Sequence, residues 1–490
     1  MREKVRAMTT TTSIHFAGLE GGQVALTSEQ LDQLHSQIEG PLLRPGDEGW
    51  DAAVLIWNGM VAATPALVIQ PMSARDVVTA VRFAQRFNVL LSIKGGGHNI
   101  GGTSLTEGGL TLDMSRMRDV TVNPEMKLAH VGPGCLLKDL DAATHKHGLA
   151  TVLGFISEVG VAGLTLGGGL GYLTRRFGWT VDNLEEVEIV TADGQIRTAS
   201  RHQHADLFWA LRGAGANLGV VTRFTFRLHE VGPTVYGGLI AWPFERADEI
   251  LNAYRTITAG APRELAVWMI LLNAPPMPFV PAEWHGRKIC AMVVCYSGDL
   301  DRTGEAMAPI RALSEPVVEV LQEWPYIRQQ SFLDDGEPKD AHYYMKTEYV
   351  ADLSDGLLTE AREAFAACPI PDGQVGLLHL GGAVNERDED DGAVGNRDAH
   401  FVLGVIGMWE ADEPNANAFQ RWVHDRWARV RPFSTGRTYI NFQTADETED
   451  RVRAAYGGNF ERLIRVKDKY DPLNLFRRNR NIRPHPAQTS

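Results

Sequence analysis

Apolar residues recur along this chain in two rhythms, and the points where the rhythm changes mark its elements. In Asp76–Ala84 they return at helical spacing (Val77, Ala80, Val81, Phe83, Ala84), which predicts an amphipathic helix. Asp76 lies near its N-terminus, where a carboxylate suits the helix dipole. The run Val89–Ile93 predicts a buried strand, and Gly109–Asp113 and Leu128–Gly132 predict two more. Leu136–His147 reads as a helix stopped by Gly148. Strand, helix and strand repeated in this way from Asp51 to about Leu228 predict an α/β layer structure. Residues before Pro45 read as a loosely packed leader with one amphipathic helix, Ser28–Ile38.

The pattern shifts near Gly232-Pro233. From there to about Pro432 the glycine loops vanish, and strand runs such as Lys288–Tyr296 alternate with helices such as Leu357–Ala367. The acidic stretch Glu386–Gly392 predicts a solvated surface loop. Thr438–Phe442 then reads as a strand, followed by one helix from about Thr448 to Tyr470. The tail after Tyr470 mixes turn formers and basic residues with Leu473, Leu475, Phe476 and Ile482, an apolar content that predicts docking. Three units follow: 45–230, 231–432 and 433–485.

Length and charge narrow the function classes. A chain of 490 residues exceeds one ordinary domain. Its formal net charge of −13 argues against a nucleic-acid partner, which calls for a basic face. The four cysteines, Cys135, Cys290, Cys295 and Cys368, include no CxxC pair and make no disulfide framework. No stretch approaches 18 uninterrupted apolar residues, so no membrane helix is predicted. Met1–Met8 and the threonines after it lack the apolar core of a signal peptide, and the cytoplasm is the expected compartment.

The chemistry concentrates in loops. Lys94-Gly95-Gly96-Gly97-His98-Asn99-Ile100-Gly101-Gly102 follows a predicted strand. Glycines there let the main chain approach a bulky anion and offer N–H donors to it, as pyrophosphate sites require. A second such loop is Gly167-Gly168-Gly169-Leu170-Gly171-Tyr172. Two cradles, with a histidine fixed in the first, point to a dinucleotide held along its length, with a flavin as the candidate. A nicotinamide-type fingerprint would open a helix directly after the first strand, with an acidic residue some twenty positions on, and these glycines do not follow that plan.

Taken in order, these motifs carry a family resemblance. They are the Lys94–Gly102 loop, Val131-Gly-Pro-Gly134, Val159-Gly160-Val161-Ala162-Gly163 leading into Gly167–Gly169, Asn183, and Asp206–Val221 with Val220. The chain resembles the FAD-linked oxidases of the vanillyl-alcohol-oxidase type. Its Tyr470-Asp-Pro-x-Asn-x-Phe tail, with Asn479 and Asn481, resembles their berberine-bridge-enzyme-like branch. The resemblance implies an α+β fold: a two-lobed FAD-binding domain, a separate α/β substrate domain, and a C-terminal segment returning to the first.

It further implies that His98 is bonded to the flavin 8α-methyl carbon, the alternative being a histidine that only hydrogen-bonds the cofactor. Ile156 stands where some relatives carry a second tethering cysteine, so one tether is expected, and Cys135 reads as an ordinary buried thiol. Val159 occupies the position that goes with dioxygen access in the family, which implies an oxidase producing hydrogen peroxide. Lys94 replaces a common arginine and Phe442 a frequent tyrosine, which weakens transfer of any particular substrate.

Oxidation at a flavin also needs a proton acceptor near the substrate. Alternation puts Tyr439 and Asn441 on one face of the predicted strand, and the resemblance places that strand beside the flavin. Tyr439 is then the candidate base, alternatively a buried strand tyrosine with a satisfied hydroxyl. Its phenol, with an ordinary pKa of about 10, would need a cation or hydrogen bonds to ionise. Tyr344 and Lys346 are candidate helpers and Glu348 a further base. The implied partners are a small-molecule substrate, an alcohol on a sugar or secondary metabolite, and dioxygen. An amine substrate, a different electron acceptor and a non-catalytic flavin protein stay open, and no motif bears on oligomeric state.

Overall fold

The computed structural model describes residues 13–486; the Met1–Met8 segment lies outside them. Three sheets organise the chain. A small one runs in the order Leu42–Leu43, Leu67–Ile69, Leu110–Asp113, Leu91–Lys94, and its last three strands are parallel. Its connection carries the helix Ala74–Phe87, capped by the Ser73 hydroxyl, with Val77, Ala80, Val81 and Ala84 buried. Asp76 also holds the preceding chain, accepting the N–H groups of Glu39, Gly40 and Met72.

The second sheet is antiparallel, in the order Ile196–Ser200, Leu184–Val190, Val220–Arg227, Leu128–Val131, Val120–Asn123. The third has seven antiparallel strands, in the order Val318–Pro325, Thr234–Pro243, Lys288–Tyr296, Leu265–Asn273, Gln374–His379, Phe401–Trp409, His342–Val350. Helices Ala247–Gly260, Asp355–Ala366 and Ala416–Val430 cover one face of it through Trp242, Met269, Met292, Leu377 and Val405. The alternate residues of the same strands face the opposite way. The molecule is thus mixed α+β.

Four expectations change. Residues 13–45 are packed, not loose: the hairpin Ser13–Ala17/Gln23–Thr27 and the helix Ser28–His35 bury Phe16, Leu26, Leu31 and Leu34 with the strands of the first sheet. Their partners lie 30 or more residues away, where a local pattern does not reach. The acidic loop is pinned by charge: Asp391 pairs with Arg212 and Arg387, and Glu389 with Arg437. The expected helix 448–470 is two, Glu449–Tyr456 and Phe460–Tyr470, broken at Gly457. Thr438–Phe442 is no strand but an extended turn into a short 3-10 segment, Ile440–Phe442.

The tail docks. Lys467 Nζ donates to the carbonyls of Asn217 and Phe476 and pairs with Asp471, all three buried groups holding the chain against the core. Asn217 also binds the tail through Asn479 O and Ile482 N–H.

Candidate active site

A cavity of about 630 Å³ lies between the first two sheets and the open face of the seven-stranded one. Its lower wall includes Gly95–Asn99, Val159, Gly160, Gly163, Val220 and Asn479, with Tyr439 and Asn441 at one side. The loop Gly95–Asn99 leaves the strand Leu91–Lys94 because its backbone must pass against Gly160: a Cβ on Gly96 would overlap the Gly160 nitrogen. Among the described residues, the N–H groups of Gly95–Asn99 donate to no protein acceptor. His98 Nε2 and the Ser104 hydroxyl, also on the cavity wall, are buried without protein partners. Such a row of unspent donors is a site for an acceptor-rich ligand.

Trp57 and Asn58, unmarked in the sequence, hold this loop. Trp57 N–H donates to Gly97 O (3.0 Å), and its ring lies 5.2 Å from His98 and 3.8 Å from Tyr343, near parallel to both. The Asn58 amide bridges Ile100 O and Tyr343 O, joining the loop to the upper sheet. Burial, with Lys339 adding to it, pushes the His98 imidazole down to about 4, so it is neutral at pH 7. Arg478 is a cation on the cavity wall, tied to Leu105 O. Ser104 and Arg478 were also missed; only their nearness to Gly101-Gly102 and Asn479 hinted at them.

Several expected cofactor residues do other work. Lys94 is buried beneath the loop, donating to Ala53 O and lying 3.7 Å from Asp113. Gly101 packs under Arg480 and Gly102 against Val61. The second glycine loop does not line the cavity as a cradle: Gly169 N–H donates to the Tyr439 hydroxyl (2.8 Å), Gly167 abuts the Asn441 amide, and Gly168 sits near the Tyr439 ring. Gly171 packs on the Leu153 carbonyl. Tyr172 stacks on Trp268 in a core, 4.6 Å between centroids. Asn183 donates to Phe177 O and Trp179 O and pairs with His229.

The expected helpers are displaced by strand parity. On His342–Val350, Tyr343, Met345 and Thr347 line the cavity; Tyr344, Lys346 and Glu348 point to the other face. Tyr344 donates to Asp446, Lys346 pairs with Asp446 and Glu447, and Glu348 is held by Trp427, Ser434 and Arg451. All three are structural.

Tyr439 is buried at the cavity, its oxygen accepting from Gly169 N–H and from Asn441 Nδ2 (2.9 Å). Burial raises its phenol above the ordinary value, against a weaker pull from Asn441 and Gly169 and none from a cation. The resting phenolate is therefore not what the site holds. With two donors on its oxygen, the remaining proton is what Tyr439 offers.

Comparison with known proteins now decides the class. The model for an FAD binding domain matches residues 65–200, and the model "Berberine and berberine like" matches residues 438–483. An FAD-linked oxidoreductase of Dictyostelium discoideum is 31% identical over 95% of this chain and 99% of its own length. The chain is an FAD-linked oxidoreductase of the berberine-like family. A further relative of this oxidoreductase, the (R)-6-hydroxynicotine oxidase of Paenarthrobacter nicotinovorans, is 29% identical over 91% of this chain and 97% of its own. The solved 6-hydroxy-D-nicotine oxidase of Arthrobacter nicotinovorans superposes with a TM-score of 0.80 at 25% identity, covering 91% of this chain and 98% of that one. The BBE-like 1 protein of Physcomitrella patens shares the fold, with a TM-score of 0.83 at 24% identity over 94% and 100%. The oxidoreductase thus acts with FAD on a small molecule, and its free loop amides, Ser104 and Arg478 fit that cofactor's phosphates and ring edges.

Proposed function

We propose that this protein oxidises a hydroxyl-bearing carbon of a small molecule, with FAD tethered through His98 alone and dioxygen as final acceptor. Bound FAD supplies the acceptor for the hydride that leaves the substrate carbon, and its reoxidation by dioxygen gives hydrogen peroxide. The observation that carries the reading is the shared cavity of His98 and Tyr439, with the Tyr439 oxygen already clamped by two donors. Neutral His98, its Nε2 unpartnered, is in the form that can make a bond. Ile156 on the wall supplies no second tether, and Val159 is small enough to leave room at the cavity floor.

Proton handling falls to this chain's own groups. Tyr439, protonated at rest, donates a hydrogen bond that orients the substrate's heteroatom. Glu337, half-buried on the same cavity wall, is pushed up to about 7 by burial, which suits a group that takes a proton near neutral pH. The carboxyls of Asp335, Glu337 and Asp372 on the wall favour a second reading, an amine in place of the hydroxyl.

The test begins with acid precipitation of the purified protein. A yellow pellet that becomes colourless in His98→Ala is expected; a white pellet under a yellow supernatant removes the tether. Peroxide formation during turnover then separates the oxidase from a dehydrogenase.

A further inference from the structure

The open face of the seven-stranded sheet is the upper wall of the cavity, and its composition is lopsided. Ile270, Leu272, Ile289, Val293, Ile406 and Met408 present hydrocarbon to it from three interior strands of the sheet. Ile270, Leu272, Ile406 and Met408 are only partly buried, although they lie on interior strands of the sheet, because their side chains end in the cavity rather than in a core. Their chain neighbours Met269, Leu271 and Val405 are fully buried under the helices. Met277, Phe279, Phe332 and Leu333 add to this apolar lining, with the Phe279 and Phe332 rings 5.9 Å apart. Phe332 and Leu333 are carried there by an anchored loop: Asp334 accepts from Ser157 N–H (2.7 Å) and Ser157 Oγ (2.5 Å), tying the upper sheet's loop to the lower wall.

Some polar groups on this wall are already spent, while the side chains of Asp335, Glu337, Asp372 and Gln374 remain open towards its edge. The Tyr343 hydroxyl donates to Pro338 O, the Asn273 amide to Pro371 O, and Thr347 bonds Thr438. A saccharide laid along the hydrocarbon strands would exchange water for hydrocarbon at each hydroxyl that those few groups do not reach, and each unmatched hydroxyl is a loss. A hydrocarbon body gains at each carbon instead. The oligosaccharide oxidases that share this fold, a chitooligosaccharide oxidase at 21% identity and a xylooligosaccharide oxidase at 23%, are similar in scaffold alone.

We infer that the substrate of this site is a mainly apolar molecule that carries no anionic group, with its oxidisable polar end at Tyr439 and its hydrocarbon body along the inner face of the seven-stranded sheet. The inference rests on the cavity's being the FAD-dependent oxidation site proposed above. It deepens that reading by removing sugars from the substrate class. Asp335, Glu337 and Asp372 on the wall add that carboxylate-bearing molecules are excluded by like charge.

The test is binding to the FAD-loaded protein, measured by calorimetry with 1-hexanol, 1-octanol, 1-decanol, decanoate and xylobiose. Each added methylene is expected to tighten Kd about threefold to fourfold. Decanoate and xylobiose are expected to bind at least tenfold more weakly than 1-decanol. Ile406→Asn and Ile270→Asn, whose side chains end in the cavity, are expected to flatten the chain-length dependence. Affinity independent of chain length, or xylobiose binding as tightly as 1-decanol, would overturn the inference. Flavin content, read from absorbance before the titration, reports separately on the oxidation site: a protein that neither carries nor takes up FAD would sink the functional reading and with it the claim that the bound molecule is a substrate, whereas a flavin-loaded protein without the chain-length trend would sink this inference alone.

Discussion

The loops Gly95–Asn99 and Gly167–Gly171 have nearly the same composition and opposite duties. In the first, glycine brings two backbones together at Gly96 and Gly160, and the loop's N–H groups remain free for a ligand. In the second, the amides are spent inside the protein: Gly169 N–H holds the Tyr439 hydroxyl, and Gly168 and Gly169 hand their carbonyls to Val181 and Thr180. Gly169 has φ +82°, and a Cβ there would overlap the Thr180 side chain, so it is glycine for packing and backbone conformation. Composition alone does not distinguish a cradle from a buttress; what the N–H groups meet does.

The comparison is broken most directly at Tyr439, the residue the second loop supports. Tyr439→Phe is expected to lower kcat about a hundredfold with flavin content unchanged, because only the proton-handling end of the site is altered. Steady-state turnover beside an absorbance spectrum checks this, and undiminished turnover would reduce the second loop to packing. Gly96→Ala acts on the other loop. Crowding Gly160 is expected to weaken FAD uptake about tenfold or more, consistent with overpacking that costs about 1–3 kcal/mol. Titrating flavin-depleted His98→Ala with FAD, with and without Gly96→Ala, measures it free of the tether, and unaltered affinity would show that the close approach of the two loops is not needed.

A smaller effect tests the scaffold behind Asn183. His229 pairs with Asn183 and stacks on Phe177, and burial, with Arg227 and Arg176 adding to it, holds its imidazole down to about 4. Between pH 6.5 and 4 the unfolded chain binds a proton that the folded one refuses, so this group makes stability fall as pH falls. Urea unfolding from pH 7.5 to 4.5 is expected to show a shallower loss in His229→Gln than in the parent. An identical slope would mean that His229 is solvated in the folded state. The smallest change is expected from Tyr344→Phe, which removes a hydroxyl on the outer face of the upper sheet: turnover per folded molecule should stay within about twofold. A large loss in kcat would put that face in the chemistry.

Much of the site was legible because it is written locally. The strand Leu91–Lys94, the loop after it and His98 are consecutive in the chain, and their spacing carries their geometry; of the tail's apolar residues Leu475, Phe476 and Ile482 are buried as expected, while Leu473 is exposed. Tyr439 and Asn441 do lie together on the cavity, but through a turn rather than the expected strand, with Asn441 Nδ2 reaching back to the Tyr439 oxygen. The helpers were misplaced by one residue because Tyr343, Tyr344 and Met345 are all large and at least partly apolar, so the alternation that marks faces is hidden. Trp57 and Asn58 carried no motif; their importance comes from Gly97, Ile100 and Tyr343, as much as 285 positions away.

The sequence by itself determined the class of this protein: glycine loop, histidine, ordered motifs and tail together specify a berberine-like FAD-linked oxidoreductase, because each is a short stretch whose chemistry needs only its neighbours. The tertiary structure decided which glycines bind and which support, which face of His342–Val350 meets the substrate, and that the upper wall is hydrocarbon. Those properties belong to surfaces assembled from distant strands, where burial and hydrogen-bond partners come from segments that no local pattern connects.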